Sequence, residues 1–136
     1  MYFDVSSSRE RYGVGIFLIS PAQEVIPLSY KLEFKTTNNI AEYEALVLGL
    51  RDSKDMDIDS LAVFGDSELI INQVKNIYQD KPQRLKQYQN EVWDLVDNFF
   101  LAFNISFIPR EENQKADSLA LDANTFRPPI GPNIKY

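Results

Sequence analysis

Residues 28–50, LSYKLEFKTTNNIAEYEALVLGL, change from a strand pattern to a helix pattern within a few positions. Apolar and polar residues alternate as far as Phe34, which is typical of a strand with one buried and one solvent-facing side. The polar run 36–39 consists of residue types that cap helices, and from Ile40 the apolar residues recur at helical spacing. This stretch therefore predicts a strand that leads directly into an amphipathic helix over residues 40–54.

Strand patterns also lie on the N-terminal side, at residues 2–5 and 13–20, and a tight connection at 21–24 indicates that the sheet begins with antiparallel strands. On the C-terminal side the patterns predict a strand covered on both faces, two helices, a strand and a last helix, at 61–64, 68–77, 83–103, 104–108 and 111–123. Helices that alternate with strands require crossovers between parallel strands. The sequence therefore predicts an α/β fold with a mixed five-stranded sheet, antiparallel in its first three strands and parallel in its last two, with helices on both faces.

The length of 136 residues suits a single domain, which we expect to span residues 1–124. Residues 125–136 contain three prolines and one glycine, and we expect them to form a C-terminal tail or linker. No apolar run approaches the roughly 18 residues of a membrane helix, and the first residues do not resemble a signal peptide. We therefore expect a soluble, cytoplasmic protein.

The composition excludes several classes of enzyme, because the chain contains neither cysteine nor histidine. Disulfides, thiolate zinc sites, cysteine nucleophiles, Ser-His-Asp triads and HExxH metalloproteases are all ruled out. Any chemistry must therefore depend on carboxylates, hydroxyls, amides, lysine and arginine. The balance of 20 acidic against 14 basic residues gives a net charge of −6, so no overall basic field attracts nucleic acid.

Four of the acidic residues stand in unusual positions. Asp66 ends an apolar strand run, at the edge where α/β sheets place their functional sites, and Asp4 lies in a similar apolar strand context. Asp117 adjoins alanines on the packing side of the last helix. A capping or turn role is the simpler alternative for Asp4 and Asp66.

Glu42 is the fourth, and helix geometry separates it from its neighbour Glu44. The two side chains are about 200° apart around the helix, so they cannot share a face. Glu42 shares its arc with small and apolar residues and is predicted to point inward, whereas Glu44 lies beside Arg51 as a candidate solvent-exposed pair. Buried carboxylates are costly, and a divalent cation is one way to stabilise several that meet. Oxygen ligands alone favour Mg²⁺ or Mn²⁺.

Four stretches of the chain resemble the signature blocks of type 1 ribonuclease H. They are Tyr2-Phe3-Asp4-Val5-Ser6, Thr37-Asn38-Asn39-Ile40-Ala41-Glu42-Tyr43, Gly65-Asp66-Ser67 and Glu112-Asn113-Gln114-Lys115-Ala116-Asp117-Ser118-Leu119-Ala120. The stretch Ile108–Asn113 and the overall layout are most similar to the ribonuclease H domain of plant gypsy-type LTR retrotransposon polyproteins, where it lies between the reverse transcriptase and the integrase. The tail from Phe126 resembles the tether toward the integrase.

The resemblance implies a ribonuclease H-like fold and hydrolysis of the RNA strand of RNA–DNA hybrids during reverse transcription. It implies that the catalytic carboxylates Asp4, Glu42, Asp66 and Asp117 hold two Mg²⁺ or Mn²⁺ ions. These ions would activate water and stabilise the attacking and leaving oxygens. It further implies sugar and phosphate contacts by Ser6, Asn38, Asn39, Ser67 and Asn72. The implied partners are the hybrid and the reverse transcriptase and integrase of the same polyprotein, with no membrane and a monomeric isolated domain.

Three departures from the family pattern bear on activity. Val5 stands where the family has glycine, and its methyls project either toward the substrate or into the core. The family's flexible histidine is absent from the loop Ile108-Pro109-Arg110. The basic substrate-binding handle is also missing, and only four basic residues take its place, namely Lys75, Lys81, Arg84 and Lys86. The alternative functions are a cleavage-impaired nucleic-acid-binding or connecting domain of a retroelement polyprotein and, more remotely, a purely structural domain.

Overall fold

A computed structural model describes residues 1–8, 11–34, 36–75 and 83–125 of the protein. The strands are β1 (Tyr2–Ser8), β2 (Arg11–Ile19), β3 (Val25–Leu32), β4 (Ser60–Gly65) and β5 (Ala102–Phe107). The helices are α1 (Asn38–Asp55), α2 (Glu68–Val74), α3 (Gln83–Phe99) and α4 (Gln114–Thr125), with a 3-10 helix at Arg110–Asn113. The predicted order of strands and helices is confirmed. The end of the predicted helix 68–77 and the predicted tail beyond Thr125 lie outside the described residues.

The five strands form one mixed sheet in the order β3-β2-β1-β4-β5. Antiparallel pairing joins β1 to β2 and β2 to β3, whereas β1 pairs in parallel with β4 and β4 with β5. The predicted division into an antiparallel and a parallel part is therefore confirmed. Strand β1 runs further than predicted because the serines at its end stay in register with β2, as far as Ser8 opposite Arg11.

Helices cover both faces of the sheet. On one face α1 packs so closely that a side chain at Gly49 would collide with Met1 and would touch Ile16. Helix α4 packs on the other face of the sheet. There β2 presents Gly13 and Gly15, which alternate with Ile16, and α4 presents the buried Ala116. Small residues on both sides let α4 lie close to the strands. Among the described residues, each helix falls short of the length or hydropathy that crossing a bilayer requires.

The prediction that residues 61–64 are covered on both faces is wrong. Helix α4 packs over β1, β2 and β3, and on β4 the side chain of Ala62 is exposed and that of Phe64 is half-buried. Phe64 instead stacks on Tyr2 of the neighbouring strand, with ring centroids 5.0 Å apart. A short apolar run predicts a strand, but it does not show how far a distant helix will reach.

The long helix ends earlier than predicted, at Phe99, and Phe103 belongs to β5. Apolar residues at positions 99 and 103 suit a helix and a strand equally well, so their spacing does not locate the end of α3. In the structure the N–H groups of Leu101 and Ala102 both donate to the carbonyl of Asp59, at 2.7 and 3.2 Å. These bonds end the helix and start the pairing of β5 with β4.

The predicted pair of Glu44 with Arg51 is also wrong, because each side chain finds a partner on α3. The Tyr88 hydroxyl donates to Glu44, and Arg51 forms an ion pair with Glu91. Tyr88 also stacks on Tyr43 of α1, with ring centroids 5.7 Å apart. Packing between helices distant in sequence therefore replaced the local pairing.

Candidate active site

Three carboxylates from separate elements meet at one edge of the parallel part of the sheet. Asp4 lies in β1, Glu42 lies in α1 and Asp66 directly follows β4, and one oxygen from each lies within 4.8 Å of the others. The sheet register explains the first and last of these positions. Phe3 is the parallel partner of Gly65, so the next residue of each strand is an aspartate at the same level.

Glu42 reaches this cluster from the buried face of α1, as its helical position predicted. Thr37 caps the helix, because its side chain accepts a hydrogen bond from the N–H of Ile40. Glu42 then falls in the first turns, between the fully buried Ala41 and Tyr43, and is itself only 9% exposed. Its Oε2 atom is buried and has no hydrogen-bond partner among the described residues. A buried carboxylate oxygen without a donor is able to coordinate a cation.

Asp117 lies beside the trio but is not part of it. It is in the first turn of α4, is half-buried, and lies near enough to Asp4 to add to the raised pKa of that carboxyl group. The structure therefore brings all four predicted acidic residues to one region, with three of them in a compact group.

Burial and neighbouring acidic groups raise the pKa values of Asp4 and Glu42. Burial is the main cause that raises the pKa of Asp4 to about 8, and the nearby charge of Asp66 adds to it, while the N–H of Val5 opposes it by donating to Oδ1 at 2.8 Å. Burial likewise raises the pKa of Glu42 well above its ordinary value, followed by the charges of Asp4 and Asp66. The positive charge of Arg110 acts in the opposite direction on Glu42.

This cluster fits a divalent cation. The donors are all carboxylate oxygens, the ligands preferred by Mg²⁺ and Mn²⁺. A cation would also offset the burial and the repulsion that raise the pKa values of Asp4 and Glu42, and the unpartnered Oε2 of Glu42 could coordinate it. The residues present therefore match the chemistry of such an ion.

The predicted substrate-contacting residues occupy positions close in sequence to the cluster. Ser6 is two residues beyond Asp4 in β1, on the same side of the strand, and is half-buried. Asn38 and Asn39 are the first two residues of α1. Ser67 directly follows Asp66 at the start of α2, where its side chain makes no capping hydrogen bond. Asn72, the fifth, is half-buried within α2.

The sequence prediction missed one functional candidate, Asn113. Its side chain is 1% exposed and lies in the 3-10 helix that precedes α4. It donates hydrogen bonds to the backbone carbonyl of Phe3 and to the carboxylate of Asp66. Asn113 stands in the fourth signature block, four residues before Asp117, but the sequence does not show that its side chain reaches back to β1.

Val5 lies on the core side of the sheet. Its cross-strand partner is the fully buried Val14, and its own side chain is half-buried against the hydrophobic core. Strand alternation places Asp4 and Ser6 on the opposite side of β1. The structure therefore favours the core-packing interpretation of Val5 over the interpretation in which its methyls obstruct the substrate.

Comparison with known proteins identifies the family. The chain matches the family described as reverse transcriptase-like over residues 3–123. It is 30% identical over 125 residues to ribonuclease HI of Halobacterium salinarum, which covers 90% of this chain and 62% of that protein. It is 36% identical over 90 residues to a bifunctional protein of Mycobacterium tuberculosis, which covers 65% of this chain and 24% of that protein. The chain thus spans less than two thirds of these relatives.

Solved structures show the same fold. The crystal structure of the H. salinarum RNase H1 has a TM-score of 0.83 at 29% identity, covering 90% of this chain and 93% of that chain. The RNase H1 named LC11, solved in complex with an RNA/DNA hybrid, has a TM-score of 0.80 at 29% identity with the same coverage. The chain therefore belongs to the reverse transcriptase-like family, and it has the fold of these RNase H1 structures.

Proposed function

We propose that the protein is a metal-dependent endonuclease that hydrolyses the RNA strand of RNA–DNA hybrids. The observation that carries this proposal is the buried meeting of Asp4, Glu42 and Asp66 from three separate elements. Such an arrangement destabilises the metal-free fold, so a role for it outside cation binding is hard to explain. The hybrid bound to the related LC11 enzyme supports the choice of substrate.

The four acidic residues form the metal site in this proposal. Asp4, Glu42, Asp66 and Asp117 would together hold two Mg²⁺ or Mn²⁺ ions. When bound, the ions supply the charge that stabilises the attacking and leaving oxygens of an in-line displacement. The N–H of Val5 orients the Asp4 carboxylate, and the burial of Glu42 keeps its carboxylate away from competing water. Asp117 adds a carboxylate close to Asp4.

Substrate contacts fall to uncharged side chains. Hydroxyl and amide groups bind sugar and phosphate without adding charge to an acidic region, and we assign this role to Ser6, Asn38, Asn39, Ser67 and Asn72. A 2′-hydroxyl both donates and accepts hydrogen bonds, so side chains of this kind can distinguish RNA from DNA.

We infer further that the protein acts within a retroelement polyprotein of the plant gypsy type. The stretch Ile108–Asn113 and the absence of the basic handle support this context. In such a polyprotein, residues 1–124 form the ribonuclease H domain and residues 125–136 tether this domain toward an integrase. A reverse transcriptase precedes the domain, and reverse transcription takes place in the cytoplasm. Sequencing the coding region around the gene tests the inference. Neighbouring reverse transcriptase and integrase sequences in the same reading frame would support it, and a different neighbouring domain would contradict it.

The activity is tested with a labelled RNA–DNA hybrid, the matching RNA–RNA and DNA–DNA duplexes, and Mg²⁺, Mn²⁺ or chelator. We expect internal cleavage of the RNA strand of the hybrid alone, and no cleavage with chelator. Asp66→Asn should be inactive under every condition. Hybrid binding without cleavage in either metal would identify the cleavage-impaired alternative, and neither binding nor cleavage would contradict both.

Hybrid binding by the isolated protein is expected to be weak and sensitive to salt. The described basic side chains in the region of the missing handle are the exposed Lys75 and Lys86, so few phosphates can be neutralised. The slope of log K against log salt should be shallow, and Lys75→Ala should weaken binding equally for unrelated sequences. Fluorescence anisotropy from 50 to about 200 mM salt measures both. Tight binding that persists at high salt would mean that another surface holds the substrate.

Val5→Gly is expected to lower stability without increasing cleavage. The change removes a half-buried side chain from the core and adds backbone freedom in a strand, at a cost of about 1–3 kcal/mol. Val5→Ala separates the two effects, because it removes most of the side chain but keeps the backbone restriction. Chemical denaturation and cleavage rates are measured for all three proteins. A glycine variant that cleaves several-fold faster would restore the interpretation in which valine obstructs the substrate.

A further inference from the structure

Asn113 makes two hydrogen bonds that fix the orientation of its side chain. Its Nδ2 atom donates to the carbonyl of Phe3 at 2.9 Å and to Oδ2 of Asp66 at 3.2 Å. Both partners only accept hydrogen bonds at these atoms, so the amino group of the amide must face them. The Oδ1 atom consequently faces the other way, where it is buried and has no donor among the described residues.

These bonds link three of the elements that carry the acidic residues. Phe3 directly precedes Asp4 in β1, so one bond holds the backbone beside that carboxylate. The second bond holds the carboxylate of Asp66 itself. Asn113 also lies four residues before Asp117, about one helical turn, so the same side chain anchors the start of α4 against the sheet.

The unpartnered Oδ1 argues against a purely structural role. A buried acceptor without a donor costs free energy, which an apolar side chain of similar size would avoid. What an apolar residue could not do is donate to Asp66. Asp66 is half-buried, next to two further carboxylates, and without a donor its charge favours rotation away from them toward solvent.

We propose that Asn113 is a positioning residue that holds the Asp66 carboxylate facing Asp4 and Glu42, and thereby sets the affinity of the cluster for divalent cations. This inference rests on the proposed function and deepens it. Asn113 touches neither the substrate nor the reacting atoms in this role. It acts only through Asp66 and through the backbone beside Asp4.

The test compares Asn113→Ala with Gln89→Ala as a matched control. Gln89 is also a buried amide, 8% exposed, and donates at 2.7 Å to a backbone carbonyl, that of Gln73, where α3 meets α2. Both variants lose a buried amide and are expected to melt at a lower temperature. In calorimetric titration with Mn²⁺ alone, Asn113→Ala should weaken binding about tenfold, whereas Gln89→Ala should stay within about twofold of the original protein. Excess Mg²⁺ should restore most of the cleavage rate of Asn113→Ala.

A second measurement needs no variant at this position. In the ¹⁵N-labelled protein, Mg²⁺ should shift the side-chain amide resonances of Asn113 together with the backbone resonance of Asp66. The proposal is overturned if the Asn113 resonances stay fixed while that of Asp66 moves, or if both alanine variants weaken Mn²⁺ binding equally. An original protein that binds no divalent cation would overturn the proposed function as well. Normal Mn²⁺ binding by Asn113→Ala would overturn this inference alone.

Discussion

Asp4→Asn is expected to abolish hybrid cleavage while it stabilises the metal-free protein. The amide has nearly the shape of the carboxylate but no negative charge, so cation binding is lost. A loss of about 4 kcal/mol of transition-state stabilisation corresponds to a rate about a thousandfold lower. Without metal the same substitution removes the cost of burying a carboxylate beside Asp66, which raises the pKa of Asp4 to about 8, so the melting temperature should rise.

Asp94→Asn is the matched control for this substitution. It also exchanges a carboxylate for an amide, but Asp94 is exposed on α3. Cleavage and melting temperature should both remain close to those of the original protein. If Asp4→Asn instead melts at a lower temperature than the original protein in chelator, the repulsion inferred at the cluster does not exist. If it retains normal cleavage, Asp4 has no part in catalysis.

Stability without metal is expected to fall as the pH rises from about 5 to about 8. The pKa of Asp4 is raised from 3.8 to about 8 in the folded protein, and that of Glu42 is raised in the same direction. Between the unfolded and folded pKa values the folded state therefore holds more protons than the unfolded state, and raising the pH favours unfolding. The loss is complete only above the folded value.

Mg²⁺ should reverse this loss, and more strongly at high pH. Cation binding requires deprotonated carboxylates, so the metal competes with protons at pH 5 and much less at pH 8. At ten times its dissociation constant the ion contributes about 1.4 kcal/mol, or about 4 °C in melting temperature. Melting curves at both pH values, with Mg²⁺ or chelator, measure the four conditions. An equal gain at both pH values would show that the ion binds elsewhere.

Much of the fold could be predicted from the sequence because local patterns determine it. Alternation and the helical spacing from Ile40 identified the change from strand to helix, and the order of all later elements followed from similar patterns. The prediction that the strand continues to a buried Phe34 was wrong, because β3 ends at Leu32 and Phe34 is exposed. The inward position of Glu42 followed from the small and apolar residues on its side of the helix. Each of these features depends on residues within one or two turns of one another.

The ends of elements and the side-chain partners depended on tertiary contacts. Phe103 was assigned to a helix because only the bonds to Asp59 show where α3 stops. Glu44 and Arg51 are neighbours in sequence, yet both side chains turn to α3. Local spacing cannot predict such outcomes, because the competing partner is 40 or more residues away in the sequence.

For the candidate site, too, some features followed from the sequence and others only from the tertiary structure. The sequence by itself determined the identities of the four acidic residues and the absence of histidine and cysteine, and so the preference for oxygen ligands. Only the tertiary structure decided that three of the carboxylates form a compact trio with Asp117 beside Asp4, that Val5 packs into the core, and that Asn113 reaches Asp66 across the sheet. The physical reason is that burial and hydrogen-bond geometry arise from the crossing of β1, β4, α1 and α4, which no single stretch of sequence contains.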